Sequence, residues 1–156
     1  WDAFRVPRDH DAYLSLPTVV DRARAAAHAV GADDPGLDAV QLPFNVTMAD
    51  AVTVPAHAHP TADRDVSALE YAQAAGIDVV ASATLAQGSL AASIPPEIDA
   101  ELGGDTPAQR AINFARSAPG VTAALVGTSS PDHVAENVAS GTFEPLGARA
   151  FDAVFE

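Results

Sequence analysis

Between Leu125 and Asn137 the chain reads Leu-Val-Gly-Thr-Ser-Ser-Pro-Asp-His-Val-Ala-Glu-Asn: an apolar run that ends in small residues and passes straight into a helix start. Free N–H groups and the dipole of such a helix N-terminus favour a phosphate. Gly127 lets the backbone come close to a ligand. In parallel α/β folds, ligands gather at the C-terminal ends of strands, where this turn falls. The same residues also describe an ordinary well-capped connection between a strand and a helix. Spacing alone favours that plainer reading.

Other chemistry-bearing residues are weaker candidates. His57 and His59 flank Ala58, with Asp63 and Asp65 close by. Histidines at i and i+2 of an extended segment point to one side and can share a metal, but a site needs a third ligand and second-shell support. We expect a solvated loop and no metal. His28 sits in an Ala-rich helix and His10 between two Asp residues, where surface roles suffice. Ser82, Ser89 and Ser117 lie in no nucleophile-elbow pattern. The glycines form neither a dinucleotide fingerprint nor a Walker loop. Asp33-Asp34 reads as a solvated turn. The Ala-rich stretch 23–29 lacks the basic residues of a membrane-surface helix.

The elements that must position these residues follow from periodicity and capping. Residues 1–14 read as a loop. Ser15 is an N-cap with Pro17 in the first turn, and apolar residues at helical spacing run to Val30 before Gly31 stops the helix. A turn at 33–36 precedes a buried strand from Asp38 to about Leu42, with Pro43 at its end. Residues 46–64 form a long connection. Ser67 and Glu70 make a capping box for a helix that ends at Gly76. Ile77–Ala81 is a second buried strand, followed by a loop at 82–88 and a Pro-containing stretch at 94–97. Thr106 and Gln109 make another capping box, with Pro107 between them and an apolar face of Ala111, Ile112, Phe114 and Ala115. Pro119-Gly120 ends that helix. Val121–Val126 is a third buried strand, a helix runs from Pro131 to about Val138, and a last helix spans 146–155. Strands alternating with helices imply a parallel sheet covered by helices. Three strands do not close a barrel. They make a small open sheet or part of a larger one, and we read 1–156 as a single domain. No internal repeat or low-complexity segment stands out.

Composition bounds the function. Apolar residues make up 48%, enough for a core and too many for a disordered chain. No apolar run is long enough for a membrane span, and no signal peptide opens the chain. Without cysteine there is neither a disulfide nor a thiolate metal site, which fits a reducing cytoplasm. Formal net charge is -13, with 21 acidic residues against 8 basic ones, all Arg. Such a chain does not bind nucleic acid through a phosphate-neutralising patch. The opening at Trp1, with the only Met at position 48, predicts a fragment or a processed chain.

Four stretches, in order, resemble the aldo/keto reductase family. Asp38–Asn45 is similar to the sixth barrel strand, with its Val-Gln and aromatic-Asn signature. Gly76–Leu90 is similar to the seventh strand and its Leu-x-x-Gly loop. Ala108–Ser117 is similar to the Gln-containing helix before the last strand. The Leu125–Asn137 segment is similar to the final strand, its Val-Gly turn and the Glu-Asn pair of the next helix. Trp1 would then lie just past the fifth strand. The resemblance implies a partial (β/α)8 barrel: three parallel strands, barrel strands six to eight, with their helices.

By that resemblance Gln41 matches the residue that hydrogen-bonds the nicotinamide carboxamide. Leu85 and Gly88 match the loop along the cofactor pyrophosphate. Gly127 and Ser129 match the phosphate turn, His133 a side chain near the adenosine 2′-phosphate, and Glu136 with Asn137 the pair that contacts adenine. The implied cofactor is NADP or NAD. The implied parent activity is hydride transfer between that cofactor and a carbonyl or alcohol, with a small-molecule carbonyl substrate in the complete protein. The departures matter equally. The family's catalytic Asp, Tyr, Lys and His lie on earlier strands, this chain has no Lys, and Tyr13 and Tyr71 fall outside the catalytic pattern. Ser82-Ala83-Thr84 stands where many members carry an aromatic or Ser-Pro. His133 is a weaker, pH-dependent grip on a 2′-phosphate than a permanent cation. The chain alone is therefore expected to be inactive. Two other readings stay open: a barrel piece that pairs with itself or another chain through open sheet edges, and a phosphate-binding barrel isomerase or lyase.

The acidity yields a test. If it is an adaptation to a salt-rich cytoplasm, screening relieves self-repulsion and the melting temperature rises steeply with KCl. If it reflects only an Ala- and Asp-rich coding bias, the profile is flat.

Overall fold

The computed structural model describes residues 2–99 and 101–155, so the expectation for Trp1 lies outside the described residues. Its centre is a parallel sheet. β1 (Ala39–Pro43) pairs with β4 (Asp78–Ser82), and β4 pairs with β5 (Ala123–Ala124), giving the order β1-β4-β5. The intervening helices supply the crossovers that parallel pairing demands. They are α3 (Ala68–Ala75) and α6 (Pro107–Ser117), while α1 (Leu16–Ala29) precedes β1. After β5 come α7 (Pro131–Ala139) and α8 (Ala148–Asp152). Short helices α2 (Asp50–Thr53), α4 (Ser89–Ala92) and α5 (Pro96–Asp99) sit in the connections. None of the described helices is long and apolar enough to cross a membrane.

The helix ends follow local chemistry. The Ser15 hydroxyl accepts from the Thr18 N–H, and Gly31 takes the left-handed conformation just past α1. Thr106 and Gln109 complete both halves of their capping box. At Ser67 only half forms. The hydroxyl accepts from the Glu70 N–H, but the Glu70 carboxylate pairs with Arg64 instead, which holds its pKa below the ordinary carboxylate value. The last helix ends at Asp152 and tightens into a 3-10 turn over Ala153–Phe155.

The core lies on one side of the sheet. Val40, Leu42, Val79 and Ala81 face Leu69, Ala72, Ala111 and Ala115, all buried. Phe44, Phe114 and Phe151 stack in sequence, with centroids 5.5 and 5.2 Å apart, joining the end of β1 to α6 and α8. Such pairs add about 0.5–1.5 kcal/mol beyond area burial.

Three expectations need correction. The strands are not buried on both faces: Ala39, Gln41 and Asp78 are exposed, because the helices cover one face only. The third strand is two residues long rather than six, and Ala123 is exposed. It has a single neighbour, with the ladder carried by the Thr122 N–H to the Val79 carbonyl and the Leu125 N–H to the Ala81 carbonyl. The 46–64 connection is partly ordered into α2 and the start of a small hairpin, where β2 (His57–Ala58) pairs with β3 (Asp65–Val66).

That hairpin makes His57 a core residue with 0% exposure rather than a solvated one. Its Nδ1 accepts from the Leu16 N–H at 3.4 Å, so Nε2 carries the proton and donates to the Phe4 carbonyl at 2.6 Å. Tyr13 stacks on the ring at 5.8 Å, and Tyr71 lies at 6.2 Å. Burial lowers the His57 pKa, with nearby Arg8 acting the same way against the Phe4 carbonyl and Asp65. An unfolded His takes up its proton near pH ~6.5. The folded site resists it, so stability falls as pH drops through ~6.5 towards the lower folded value, by up to about 1.4 kcal/mol per pH unit. In chemical denaturation between pH 8 and 5.5, His57→Gln should be less stable than wild type at high pH but lose this slope. An unchanged slope would mean that His57 is not the group responsible.

Candidate functional site

Residues 83–88 leave the end of β4 in an unusual path. Ala83, Ala86 and Gln87 have φ of 55°, 46° and 60°, in a region that L side chains rarely occupy, and Gly88 follows at 95°. Each non-glycine outlier costs of order 1–3 kcal/mol and persists only when its surroundings over-determine it. Here they do. The Ala83 carbonyl accepts from the Ala86 N–H and the Asn45 side-chain amide, both at 2.8 Å. The Leu85 carbonyl accepts from the Gly88 and Leu90 N–H groups at 2.8 and 3.2 Å. Buried Thr84 and Leu90 anchor the two ends. The loop is thereby turned towards the end of β5.

Opposite it, β5 runs out through Gly127 into α7. Thr128 Oγ1 accepts from the Ser130 N–H at 3.3 Å and closes the turn. Ser130 is the N-cap residue but makes no side-chain cap bond. Among the described residues nothing accepts from the Asp132 and His133 N–H groups. A helix start left in this state attracts an anion. One feature opposes it: Asp132 places a carboxylate in that same first turn.

The two segments enclose a groove of about 390 Å³. Leu85, Gly88, Gly127, Ser129, His133, Glu136 and Asn137 all line it, together with Ala91, Ala108 and Thr128. A second hollow of about 360 Å³ shares Leu85, Gly88 and Gly127 and continues along Ala83, Thr84, Leu125 and Val126. The structure thus gathers every expected cofactor residue except Gln41. Gln41 stands apart on β1, exposed, in register with Val80, which is itself paired with Ala123. It belongs to the open sheet face and not to the groove wall. Ala91, Ala108 and Thr128 also line the groove without being singled out by the resemblance. Thr128 lay inside the quoted turn, whereas nothing local marks two alanines as groove walls.

The paired histidines do not converge. His57 uses both ring nitrogens on backbone groups, and His59 Nδ1 accepts from the Thr61 and Ala62 N–H groups at 3.1 and 3.0 Å. Among the described residues no cluster of three or more His, Cys, Asp or Glu side chains is placed to hold a metal. Tyr13 donates its hydroxyl to the Ala56 carbonyl at 2.7 Å, and Tyr71 is buried against His57 with its pKa raised by desolvation. Neither tyrosine lines the groove.

Comparison with solved structures identifies the fold as an incomplete α/β barrel of the aldo-keto reductase kind. Aldo-keto reductase AKR11C1 from Bacillus halodurans, in its holo form, is similar with a TM-score of 0.52 at 16% identity, over 85% of this chain and 46% of that one. Its apo form gives 0.52 at 17% identity with the same coverage. The thermostable aldo-keto reductase Tm1743, in complex with the inhibitor epalrestat, gives 0.51 at 19% identity, over 74% of this chain and 38% of that one. The chain therefore spans less than half the length of these structures. No family model matches the sequence, and no curated protein does.

Two glycines differ in what the fold asks of them. A Cβ built at Gly127 meets nothing within 4 Å, whereas one at Gly120 (φ +88°) comes within 2.9 Å of the Leu69 carbonyl oxygen. In urea denaturation Gly127→Ala should leave stability unchanged or raise it by about 0.4–1 kcal/mol. Gly120→Ala should cost at least about 1 kcal/mol. A clear loss at Gly127 would show that the groove's open floor has been misjudged.

Proposed function

We propose that this chain is the cofactor-binding portion of an aldo/keto reductase, holding the phosphate and adenine end of NADP or NAD in the groove between the 83–88 loop and α7. The observation that carries the reading is the convergence of Leu85, Gly88, Gly127, Ser129, His133, Glu136 and Asn137 on one groove. The chemistry of the walls fits such a group. Gly127 and Gly88 leave open floor, the start of α7 offers free N–H groups, and Glu136 and Asn137 stand one turn further on. Asp132 and the overall acidity weaken the grip on phosphate, so the N–H groups and His133 have to supply most of it. Bound, the nicotinamide would supply the hydride. Gln41, on the open sheet face, is available to orient its carboxamide.

Reduction of a carbonyl also needs a proton donor at its oxygen. Neither tyrosine lines the groove and Lys is absent, so in this reading the donor comes from outside this chain. In this reading the complete protein acts on a small carbonyl or alcohol, and this chain by itself does not turn over.

A second reading has its own observation. Val134 and Val138 are 49% and 72% exposed and line, with Thr122, Ala123 and Ala124 of the β5 segment, a hollow of about 530 Å³. That surface supports association with another copy or another barrel piece.

Fluorescence titration with NADPH and NADH, with far-UV circular dichroism alongside, tests the proposal. Saturable binding without turnover is expected. A folded chain that binds neither dinucleotide, or that prefers a sugar phosphate, would overturn it, and dimerisation without binding would favour the association reading.

A further inference from the structure

Helix α7 carries His133, Glu136 and Asn137, yet none of its nine residues is buried. A surface helix ordinarily holds its place by burying an apolar stripe. This one leaves Val134 and Val138 largely exposed. Its fastening comes from polar side chains on α6 that reach for backbone groups. Arg116 Nη1 donates to the Ser140 and Phe143 carbonyls at 2.9 and 2.8 Å, and Asn113 Nδ2 to the Glu144 carbonyl at 3.1 Å. The Ser117 hydroxyl accepts from the Leu146 N–H at 2.8 Å. All of these hold the chain beyond α7. Within α7 itself, among the described residues, one side-chain hydrogen bond from α6 grips the backbone, from Gln109 Nε2 to the Glu136 carbonyl at 3.2 Å.

Gln109 cannot turn its amide away. It is 6% exposed, and its Oε1 already accepts from the Asp105 and Thr106 N–H groups at 2.9 and 3.3 Å. Flipping the amide would set its NH2 group against those two donors. The box that starts α6 therefore aims the donor at α7. We infer that Gln109 is a positioning residue for ligand binding: it sets the depth of α7 so that Glu136 and Asn137 face Gly88 across the groove and receive the adenine end of a dinucleotide. This inference rests on the cofactor-binding reading above.

Gln109→Glu separates the two duties. A Glu at this position retains the acceptors of a capping box, but it loses the N–H donor and sets a carboxylate against the Glu136 carbonyl. Circular dichroism should keep its wild-type shape, while the melting temperature falls, because a buried carboxylate now faces a carbonyl. Affinity for NADPH and for ADP should fall together, by about 3- to 10-fold for one hydrogen bond lost. Unchanged affinity would make Gln109 a cap only and overturn the inference. So would a loss confined to NADPH, since ADP carries the adenine end. If wild type binds neither ligand, the functional reading itself fails and the inference falls with it. Should Gln109→Glu not fold, the wild-type chain still decides by nuclear magnetic resonance. Titration with ADP should shift the Gln109 side-chain amide protons along with the α7 backbone amides. Shifts in α7 without any in that side chain would overturn the inference.

Discussion

Helix α6 is buried on nearly every side, and that constraint organises the C-terminal part of the molecule. Eight of its eleven residues are buried, among them Gln109, Asn113 and Ser117. A buried amide or hydroxyl without a partner costs about 1–3 kcal/mol, so each of these side chains must be satisfied. The apolar side of α6 is occupied by the sheet and by the Phe44–Phe114–Phe151 stack. Gln109 Oε1 is satisfied by the start of α6 and the Ser117 hydroxyl donates to the Asn113 carbonyl, while Gln109 Nε2, Asn113 Nδ2 and the accepting Ser117 oxygen meet the backbone of 136–146. Contacts to backbone depend little on which side chains the held segment carries. α7 can therefore turn its own side chains to the groove and to solvent.

The facing wall is built by the opposite means. Around Ala83, Ala86 and Gln87 the backbone is held in left-handed conformations, stabilised by hydrogen bonds to the Ala83 and Leu85 carbonyls and by burial of Thr84 and Leu90. One wall is a strained loop clamped by its own bonds, and the other is a relaxed helix held from outside. Between them Gly127 leaves room that nothing in the fold requires.

The sheet explains the rest of the surface. Its helices lie on one face, so Gln41 and Ala123 look outward on the other, and β5 has one neighbour only. In a closed barrel such outward positions would line the interior. Two of the solved structures similar to this chain are more than twice the length that it matches, at 46% and 38% coverage.

Much of this was legible in the residues. Ser15, Thr106 with Gln109, and Gly31 with Gly76 marked helix ends, because a cap is a hydrogen bond between groups a few residues apart. The apolar cores of β1 and β4 and the buried face of α6 followed from periodicity for the same local reason. The lengths and faces of the strands did not. The ladder of β5 depends on how many neighbours it has, and six apolar-looking residues cannot report that. Neither the burial of His57 nor the second duty of Gln109 has a local signal, since Phe4, Leu16 and Glu136 are brought to them by the fold. The resemblance named Leu85, Gly88 and the 127–137 residues separately. The sequence by itself determined the main helices, the two longer strands and the residue types at their ends. Only the tertiary structure decided that two strand ends meet, that Gln41 stays outside the groove and that α7 is held from α6, because burial and hydrogen-bond partners are properties of neighbours distant in the chain.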